Sequence, residues 1–218
     1  MKLTTDAVLL ADFADASGCR RGADLGCASG ILMLLTLWKN PDLYMTGLEL
    51  LPEAVRLTEQ NLKNNGLEDR GRAVLADLRE RGKGFQAGAF DFIIANPPYF
   101  RTGDGKISPD DDRATARGEC RCSLEDICRT AAVLCRSGGR FALCYRPERF
   151  AELLETVRKT GMEPKRLRCV HHSCGHAASL LLLECRRDGK PGLKTEPPLI
   201  LFDSSGRETD EYRRIYHH

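Results

Sequence analysis

The sequence predicts an α/β fold with three layers, in which helices cover both faces of a mostly parallel, doubly wound sheet of seven strands. Apolar segments of strand length alternate with helical segments along the chain, a pattern typical of parallel sheets. Three successive predicted strands end in an acid, at Asp24, Glu49 and Asp77, and the next strand ends at Asn96. Because ligands bind at the carboxyl ends of parallel strands, we expect these polar side chains to share one edge of the sheet.

The first half of the chain alternates strictly between helices and strands. Asn40-Pro41 ends one helix, since the residue before a proline avoids the helical conformation. Pro52 fits the first turn of the next helix, and Asn64-Asn65-Gly66 fits its C-terminal cap. The predicted helices are one capped by Thr4 or Asp6 that runs through Phe13, then 31–39 and 52–64; the predicted strands are 22–25, 44–49, 72–76 and 90–95.

The second half ends in two strands with no helix between them. Helices are predicted at 124–135 and 148–159, the latter ending at Gly161, and a turn at 137–139 precedes a strand at 140–145. The final strands, 166–170 and 179–185, follow each other directly. The last strand is therefore expected to run antiparallel to its neighbour.

Length and composition favour a single domain over residues 1–218. Hydrophobic residues make up 42% and charged residues 29% of the chain, as in ordinary globular proteins. We find no apolar run of membrane-spanning length and no signal peptide, so we expect no membrane association and a cytoplasmic location. A net charge of +2 and a pI near 8.0 do not by themselves indicate a nucleic-acid binder. No stable protein partner is indicated.

The segment Asp24-Leu25-Gly26-Cys27-Ala28-Ser29-Gly30 joins a predicted strand to a predicted helix. Glycines in such a turn let the backbone approach a ligand closely. The segment matches neither the dinucleotide fingerprint nor the P-loop, and it has no lysine for a triphosphate. The carboxylate of Asp24 suits a ligand that carries an ammonium group, and we predict S-adenosylmethionine. The alternative is an ordinary strand-to-helix turn.

The next two acids extend this predicted cofactor site. Glu49 lies nineteen residues after Gly30, a spacing that suits an acid bound to ribose hydroxyls. Asp77 is placed to accept a hydrogen bond from the adenine amino group. Any one of the three acids could instead be a solvated strand end or a helix N-cap. The predicted cofactor-binding residues are Asp24, Gly26, Cys27, Ala28, Gly30, Glu49, Leu50, Asp77, Leu78 and Asn96.

The tetrapeptide Asn96-Pro97-Pro98-Tyr99 fits methylation of a nitrogen whose lone pair is delocalised into a π system. Such a nitrogen becomes tetrahedral and positive as it attacks, so acceptors aimed at its hydrogens stabilise the transition state more than the ground state. The side-chain oxygen of Asn96 and the carbonyl of Pro97 are the predicted acceptors. The prolines fix φ and hold these acceptors in place. The alternative is a proline-rich turn after a strand.

Aromatic residues beside the prolines predict a surface that binds the base to be methylated. Enzymes that modify a base take it out of the stack, and an aromatic ring then stacks on it. Tyr99 is predicted to stack in this way and to share the catalytic site with Asn96 and Pro97. The predicted substrate-binding residues are Pro98, Tyr99, Phe100 and Arg101.

These motifs resemble the class I S-adenosylmethionine-dependent N-methyltransferases. The narrower resemblance is to bacterial methyltransferases of an anticodon-loop adenine of valine tRNA, just 3′ of the anticodon. It rests on Leu3 to Ala11, on the two motifs, and on Glu196-Pro197-Pro198-Leu199-Ile200. Methylation of adenine N6 in tRNA, at position 37, is what this resemblance implies. Ala28 stands where many relatives have glycine, and the family's N-terminal extension is expected to be short or missing.

Other acceptors share the chemistry of a planar nitrogen. Release-factor glutamine N5-methyltransferases carry the same tetrapeptide, but usually behind a helical domain, for which this chain offers only about twenty residues. Guanine N2 of ribosomal RNA is a closer alternative. DNA adenine methylation would require a recognition region that we do not find, and a non-catalytic module would not need an intact Asn96.

Ten cysteines raise the possibility of a metal site. Two clusters, 120–135 and 169–176, lack the ligand spacings of known zinc modules, so no metal is predicted. In the cytoplasm the thiols should be reduced. Cys27, Cys144 and Cys185 are interpreted as small apolar residues of the core.

Overall fold

The computed structural model describes residues 5–97 and 122–216, and a mixed β-sheet forms its centre. The strands are β1 Arg21–Leu25, β2 Tyr44–Glu49, β3 Gly71–Leu75, β4 Phe90–Ala95, β5 Cys135–Tyr145, β6 Met162–His171, β7 Ala178–Arg187, β8 Lys194–Thr195 and β9 Leu199–Ile200. The helices are α1 Thr5–Phe13, α2 Ile31–Lys39, α3 Pro52–Asn64, α4 Leu124–Leu134, α5 Phe150–Lys159 and α6 Asp210–Tyr216, with 3-10 turns at Leu78–Glu80 and Pro147–Arg149.

The strand order places the ends of β1 and β4 side by side. Within the described residues the order is β3-β2-β1-β4-β5-β7-β6-β8, and β9 also pairs with β6. Strands β1 to β5 are parallel, whereas β7 is antiparallel to both β5 and β6. The predicted fold class is confirmed, with two short strands added. The chain winds outward from β1 to β3 and returns at β4, and such a reversal point is where open α/β sheets bind ligands.

Two apolar clusters, one on each face of the sheet, form the core. Helices α1, α2, α3 and α6 contribute to the first cluster, and α4 and α5 contribute to the second. In β4, Phe92 and Ile94 belong to the first cluster and Ile93 and Ala95 to the second. All four are fully buried, as expected for a central strand covered on both faces. This explains why residues 92–95 of β4 are all apolar.

The predicted turn at 137–139 lies within a strand. β5 begins at Cys135, opposite Phe90 of β4, and regular pairing resumes with Arg140 opposite Phe92. Residues 136–139 bulge out of the ladder, and Gly138 has a left-handed φ of 72°. The prediction that the strand starts at residue 140 is therefore wrong, because turn residues also serve in bulges.

The sheet also extends beyond its predicted ends. β6 and β7 are each longer than predicted, and β8, β9 and α6 were not predicted. Charged residues lie at half-buried positions of β6, among them Lys165 and Arg166, and they hide the apolar pattern of a strand. The predicted helix 148–159 begins with the 3-10 turn and is α-helical only from Phe150. No helix among residues 5–97 and 122–216 is long and apolar enough to span a bilayer.

Candidate cofactor and acceptor site

Three of the four predicted polar residues lie on adjacent strands or directly after one, and they point to the same face of the sheet. Asp24 of β1 is level with Gly47 of β2 and Ile94 of β4, so Glu49 and Asn96 each lie two residues beyond it. Side chains alternate along a strand, which turns all three toward the face covered by α1, α2 and α3. The sequence prediction grouped these residues, and the strand order brings them together.

Asp24 is a buried carboxyl group without a partner. Its side chain is fully buried, and neither carboxyl oxygen has a hydrogen-bond donor among the residues that the structure describes. Burial, and secondarily the charge of Glu49, raises the pKa of Asp24 to about 8. A buried ionised carboxylate is costly unless a cation pairs with it. Asp24 therefore suits a ligand that brings a positive charge into the site.

Glu49 connects the glycine segment to the start of α3. One of its carboxylate oxygens accepts a hydrogen bond from the backbone N–H of Ala28 at 2.9 Å. The other accepts from the N–H groups of Leu50 and Leu51, at 2.8 and 3.1 Å. A carboxylate has about four acceptor positions, so one remains for a ligand hydroxyl. The predicted ribose contact is compatible with this geometry.

The glycine segment takes up left-handed backbone at three positions. The φ angles of Gly26, Ala28 and Gly30 are 78°, 49° and 78°. A Cβ atom on Gly30 would lie 2.7 Å from Cγ2 of Thr58, whereas nothing lies within 4 Å of the position of a Cβ on Gly26. Gly30 is therefore required for packing against α3, and Gly26 leaves open space above the loop for a ligand.

Ala28 is strained because it lacks the freedom of glycine at its left-handed φ. Replacing it with glycine removes roughly 1–2 kcal/mol of strain from the folded state. The added conformational entropy also lowers the free energy of the unfolded chain, by roughly 0.4–1 kcal/mol. We expect Ala28→Gly to stabilise the protein by about 0.5 kcal/mol. Urea denaturation measures this change, with Ala28→Val as the destabilised counterpart. A less stable glycine variant would contradict the left-handed backbone at this position.

Two residues of α3 that the sequence did not single out hold the glycine segment. The hydroxyl of Thr58 donates to the carbonyl of Ala28 at 3.0 Å, and the amide of Asn61 donates to the carbonyl of Ser29 at 2.9 Å. Cys27 is buried beside them, its sulfur 3.7 Å from the Thr58 hydroxyl. Burial raises the pKa of Cys27, so its thiol stays neutral. Thr58 and Asn61 are three residues apart, which places them on one face of a helix. This spacing is the only feature of the sequence that indicates that they act together.

Asp77 caps a short turn at the end of β3. Its carboxylate accepts from the backbone N–H of Arg79 at 2.9 Å and also pairs with the Arg79 guanidinium. The side-chain hydrogen bond from Arg79 lowers the pKa of Asp77. The capping role, considered as an alternative, is therefore observed, and the adenine contact stays a prediction. Leu78 is buried, and its carbonyl accepts from the hydroxyl of Thr130 at 2.6 Å.

Asn96 follows β4 directly and is oriented from β5. The thiol of Cys144 donates to the side-chain oxygen of Asn96 at 3.0 Å, and Cys144 is fully buried. The interpretation of Cys144 as a purely apolar residue is therefore incomplete. A carbonyl-type oxygen has two lone pairs and can accept from two donors at once.

Pro97, the next residue, is buried. The other predicted residues of this segment, Pro98, Tyr99, Phe100 and Arg101, lie outside the described residues. Among the residues that are described, no group of three or more His, Cys, Asp or Glu side chains is arranged to hold a metal ion.

Comparisons with known proteins agree with this fold. The protein-family model of the methyltransferase small domain matches residues 4–109 of this chain. The tRNA1(Val) (adenine(37)-N6)-methyltransferase of Tolumonas auensis is 30% identical over 213 residues, which cover 97% of this chain and 86% of that protein. The same-named protein of Aliivibrio salmonicida is 25% identical over 210 residues, 96% of this chain and 87% of its own length.

A solved structure of a predicted O-methyltransferase from Agrobacterium tumefaciens superposes with a TM-score of 0.78 at 24% identity, covering 97% of this chain and 95% of that one. At this identity the likeness concerns the fold, which is that of the class I methyltransferases.

Proposed function

Because the chain belongs to the family of tRNA1(Val) (adenine(37)-N6)-methyltransferases, we propose that it methylates the N6 amine of an adenine in tRNA, adenine 37 of a valine tRNA. The observation that carries the proposal is a buried, unpartnered carboxyl group, Asp24, near Asn96, which directly follows the neighbouring strand β4. The first suits a cationic cofactor and the second suits an amino group. Since tRNA is the proposed substrate, we also propose a cytoplasmic location.

The residues of the site fit S-adenosylmethionine. Asp24 would hold its ammonium group, and Glu49 would hold a ribose hydroxyl through its remaining acceptor position while it continues to hold the Ala28 amide. The open space at Gly26 gives the ligand close access to the backbone. Asp77 would receive the adenine amine beside Arg79. When bound, S-adenosylmethionine supplies a methyl group on a positively charged sulfur.

Asn96 and Pro97 act on the acceptor. The side-chain oxygen of Asn96 and the carbonyl of Pro97 accept hydrogen bonds from the two hydrogens of the adenine amine. As the nitrogen gains positive charge, these bonds strengthen, so they lower the barrier more than they favour binding. Cys144 holds the Asn96 oxygen in place before the acceptor arrives. Tyr99 and Phe100 are proposed to stack on the base, with Pro98 and Arg101 beside them.

The acceptor is tested by supplying a labelled methyl group to several substrates in parallel. The substrates are unmodified valine tRNA, the same tRNA with guanine in place of adenine 37, ribosomal RNA, DNA and release factor. We expect label in the first tRNA only, recovered as N6-methyladenine after digestion to nucleosides. Label in release factor or ribosomal RNA without label in tRNA would overturn the proposal and favour the glutamine or guanine acceptor.

A further inference from the structure

The hairpin between β6 and β7 projects from the same edge of the sheet as Asn96. β6 runs parallel to β4, so its last residue, His171, lies at the carboxyl edge. The strand register places Asn96 level with Arg168, three residues before His171. Three strand spacings and three residues correspond to about 14 Å across the sheet and about 10 Å along it. The hairpin therefore stands about 17 Å from the proposed acceptor site.

The hairpin presents a row of rings that is anchored in the core. His172 lies 5.4 Å from His176 and 4.7 Å from Phe202 between ring centroids. Phe202 in turn contacts Tyr212, which is buried against the first cluster. His172 and His176 form the exposed end of this row. The exposed rings are thus the outer end of a row of rings packed edge-to-face or at a tilt.

Hydrogen bonds fix the backbone of the hairpin and the ring of His176, and the ring of His172 is held by its contact with Phe202. The N–H of Phe202 donates to the carbonyl of His172 at 2.8 Å, and the N–H of Leu201 donates to the carbonyl of His171 at 3.0 Å. Nδ1 of His176 bonds to the Ser173 hydroxyl at 2.7 Å. Rings held in this way lose little conformational entropy when a ligand stacks on them. Residues 171–179 include no acid that would repel a phosphate.

We propose that the exposed rings of His172 and His176 form a stacking platform for bases of the RNA substrate that lie about five nucleotides from the methylated adenine. This inference rests on the proposed function and names a surface that binds its substrate. Sequence-specific RNA recognition takes place largely at unstacked bases, which stack on aromatic or histidine rings. At the stacked spacing of ~3.4 Å per nucleotide, about five nucleotides reach from Asn96 to the hairpin.

RNA fits this surface better than a protein segment does. The imidazole rings combine a flat π face with polar ring nitrogens, and every base has a π face to place on them. An apolar peptide would instead require a larger exposed apolar patch. In the described hairpin, the neighbours of the rings are Ser173, Cys174 and Gly175, which offer little apolar area.

Binding and turnover of unmodified valine tRNA by hairpin variants test the platform. We expect His172→Ala to weaken tRNA binding about tenfold, as for the loss of one stacked base. The double variant with His176→Ala should be weaker still, and His172→Phe should restore binding because it keeps the ring. The KM for tRNA should follow the binding constant, while the affinity for S-adenosylhomocysteine should stay unchanged.

Trp38→Ala is the matched control. Trp38 is a 63% exposed aromatic residue near the C-terminal end of α2. This end of the helix lies at the edge of the sheet opposite the hairpin. Its removal should leave tRNA binding unaltered. The salt dependence of tRNA binding should be the same for wild type and His172→Ala, because stacking releases no counterions.

Unaltered tRNA binding by the double histidine variant would overturn the platform. If the wild type binds tRNA but methylates none of it, the proposed function fails. In that case, weaker binding by the histidine variants would still support the platform.

Discussion

Asn96→Ala is expected to reduce the rate of methyl transfer to tRNA by roughly 10²- to 10³-fold, the usual cost of removing one preorganised polar contact to a transition state. The variant loses the oxygen that accepts a hydrogen bond from the reacting amine. The main chain of Pro97 still supplies one acceptor, so some activity should remain. The expected loss is in kcat, because the contact strengthens as the nitrogen becomes positive. Single-turnover methylation of unmodified valine tRNA measures it.

The controls for Asn96→Ala separate chemistry from folding and cofactor binding. Affinity for S-adenosylhomocysteine should stay within about twofold of wild type, because Asp24 and Glu49 are untouched; this is well below the tenfold change of ~1.4 kcal/mol. Asn65→Ala, which removes an exposed asparagine at the end of α3, should be fully active. Normal single-turnover rates in Asn96→Ala would refute the proposed role of this residue.

Short sequence motifs made much of the site predictable. A strand end, a glycine turn and an acid at a set distance are all features of short segments. Asp24, Gly26, Gly30 and Glu49 lie together at the carboxyl edge of the parallel sheet, as expected. The proximity of Asn96 to Asp24 was not predicted in this detail, because it depends on the reversal of strand order that places β4 next to β1. Such a reversal is a general property of doubly wound sheets.

The contacts that hold the site could not be predicted, because they join distant parts of the chain. Thr58 donates to a carbonyl 30 residues earlier, and in the sequence it is one more polar residue of an amphipathic helix. Cys144 meets Asn96 because of the register between β4 and β5, which resumes only after the bulge at 136–139. A slip of one residue would turn Cys144 to the other face of the sheet. The sequence marks that bulge only as a turn.

Cofactor affinity is expected to rise with pH because of Asp24. In the free protein the pKa of Asp24 is about 8, so the carboxyl group is mostly protonated at neutral pH. An ammonium group bound beside it favours the ionised form and lowers this pKa. Binding therefore releases a proton below pH 8, and affinity should increase by up to about tenfold per pH unit between pH 6 and 7. Titration calorimetry with S-adenosylhomocysteine in buffers of different ionisation enthalpy measures both the affinity and the proton release.

Asp24→Asn should remove this pH dependence and most of the affinity. An amide cannot neutralise a buried ammonium group, and losing one partner of a buried ion pair costs about 3–5 kcal/mol, so we expect binding at pH 8 to weaken at least about 100-fold. Glu184→Gln is a useful comparison, since it alters a buried carboxyl group of β7 whose pKa is also raised by burial. That variant should bind the cofactor with the pH dependence of wild type.

Asp24→Asn should also make the cofactor-free protein more stable. The folded pKa of Asp24 lies above its ordinary value of 3.8, so from about pH 4 to pH 8 the unfolded chain has lost a proton that the folded chain retains. Ionisation of Asp24 in the unfolded chain alone therefore lowers the free energy of unfolding as pH rises. The contribution of this group is fully present below pH 4 and is lost as pH rises toward 8. Asparagine does not titrate, so the Tm of Asp24→Asn should exceed that of wild type by a margin that grows over this window. A difference in Tm between Asp24→Asn and wild type that does not change with pH would show that Asp24 is ionised in the free protein. The expected trend would mean that Asp24 lowers the stability of the free protein and raises its affinity for the cofactor.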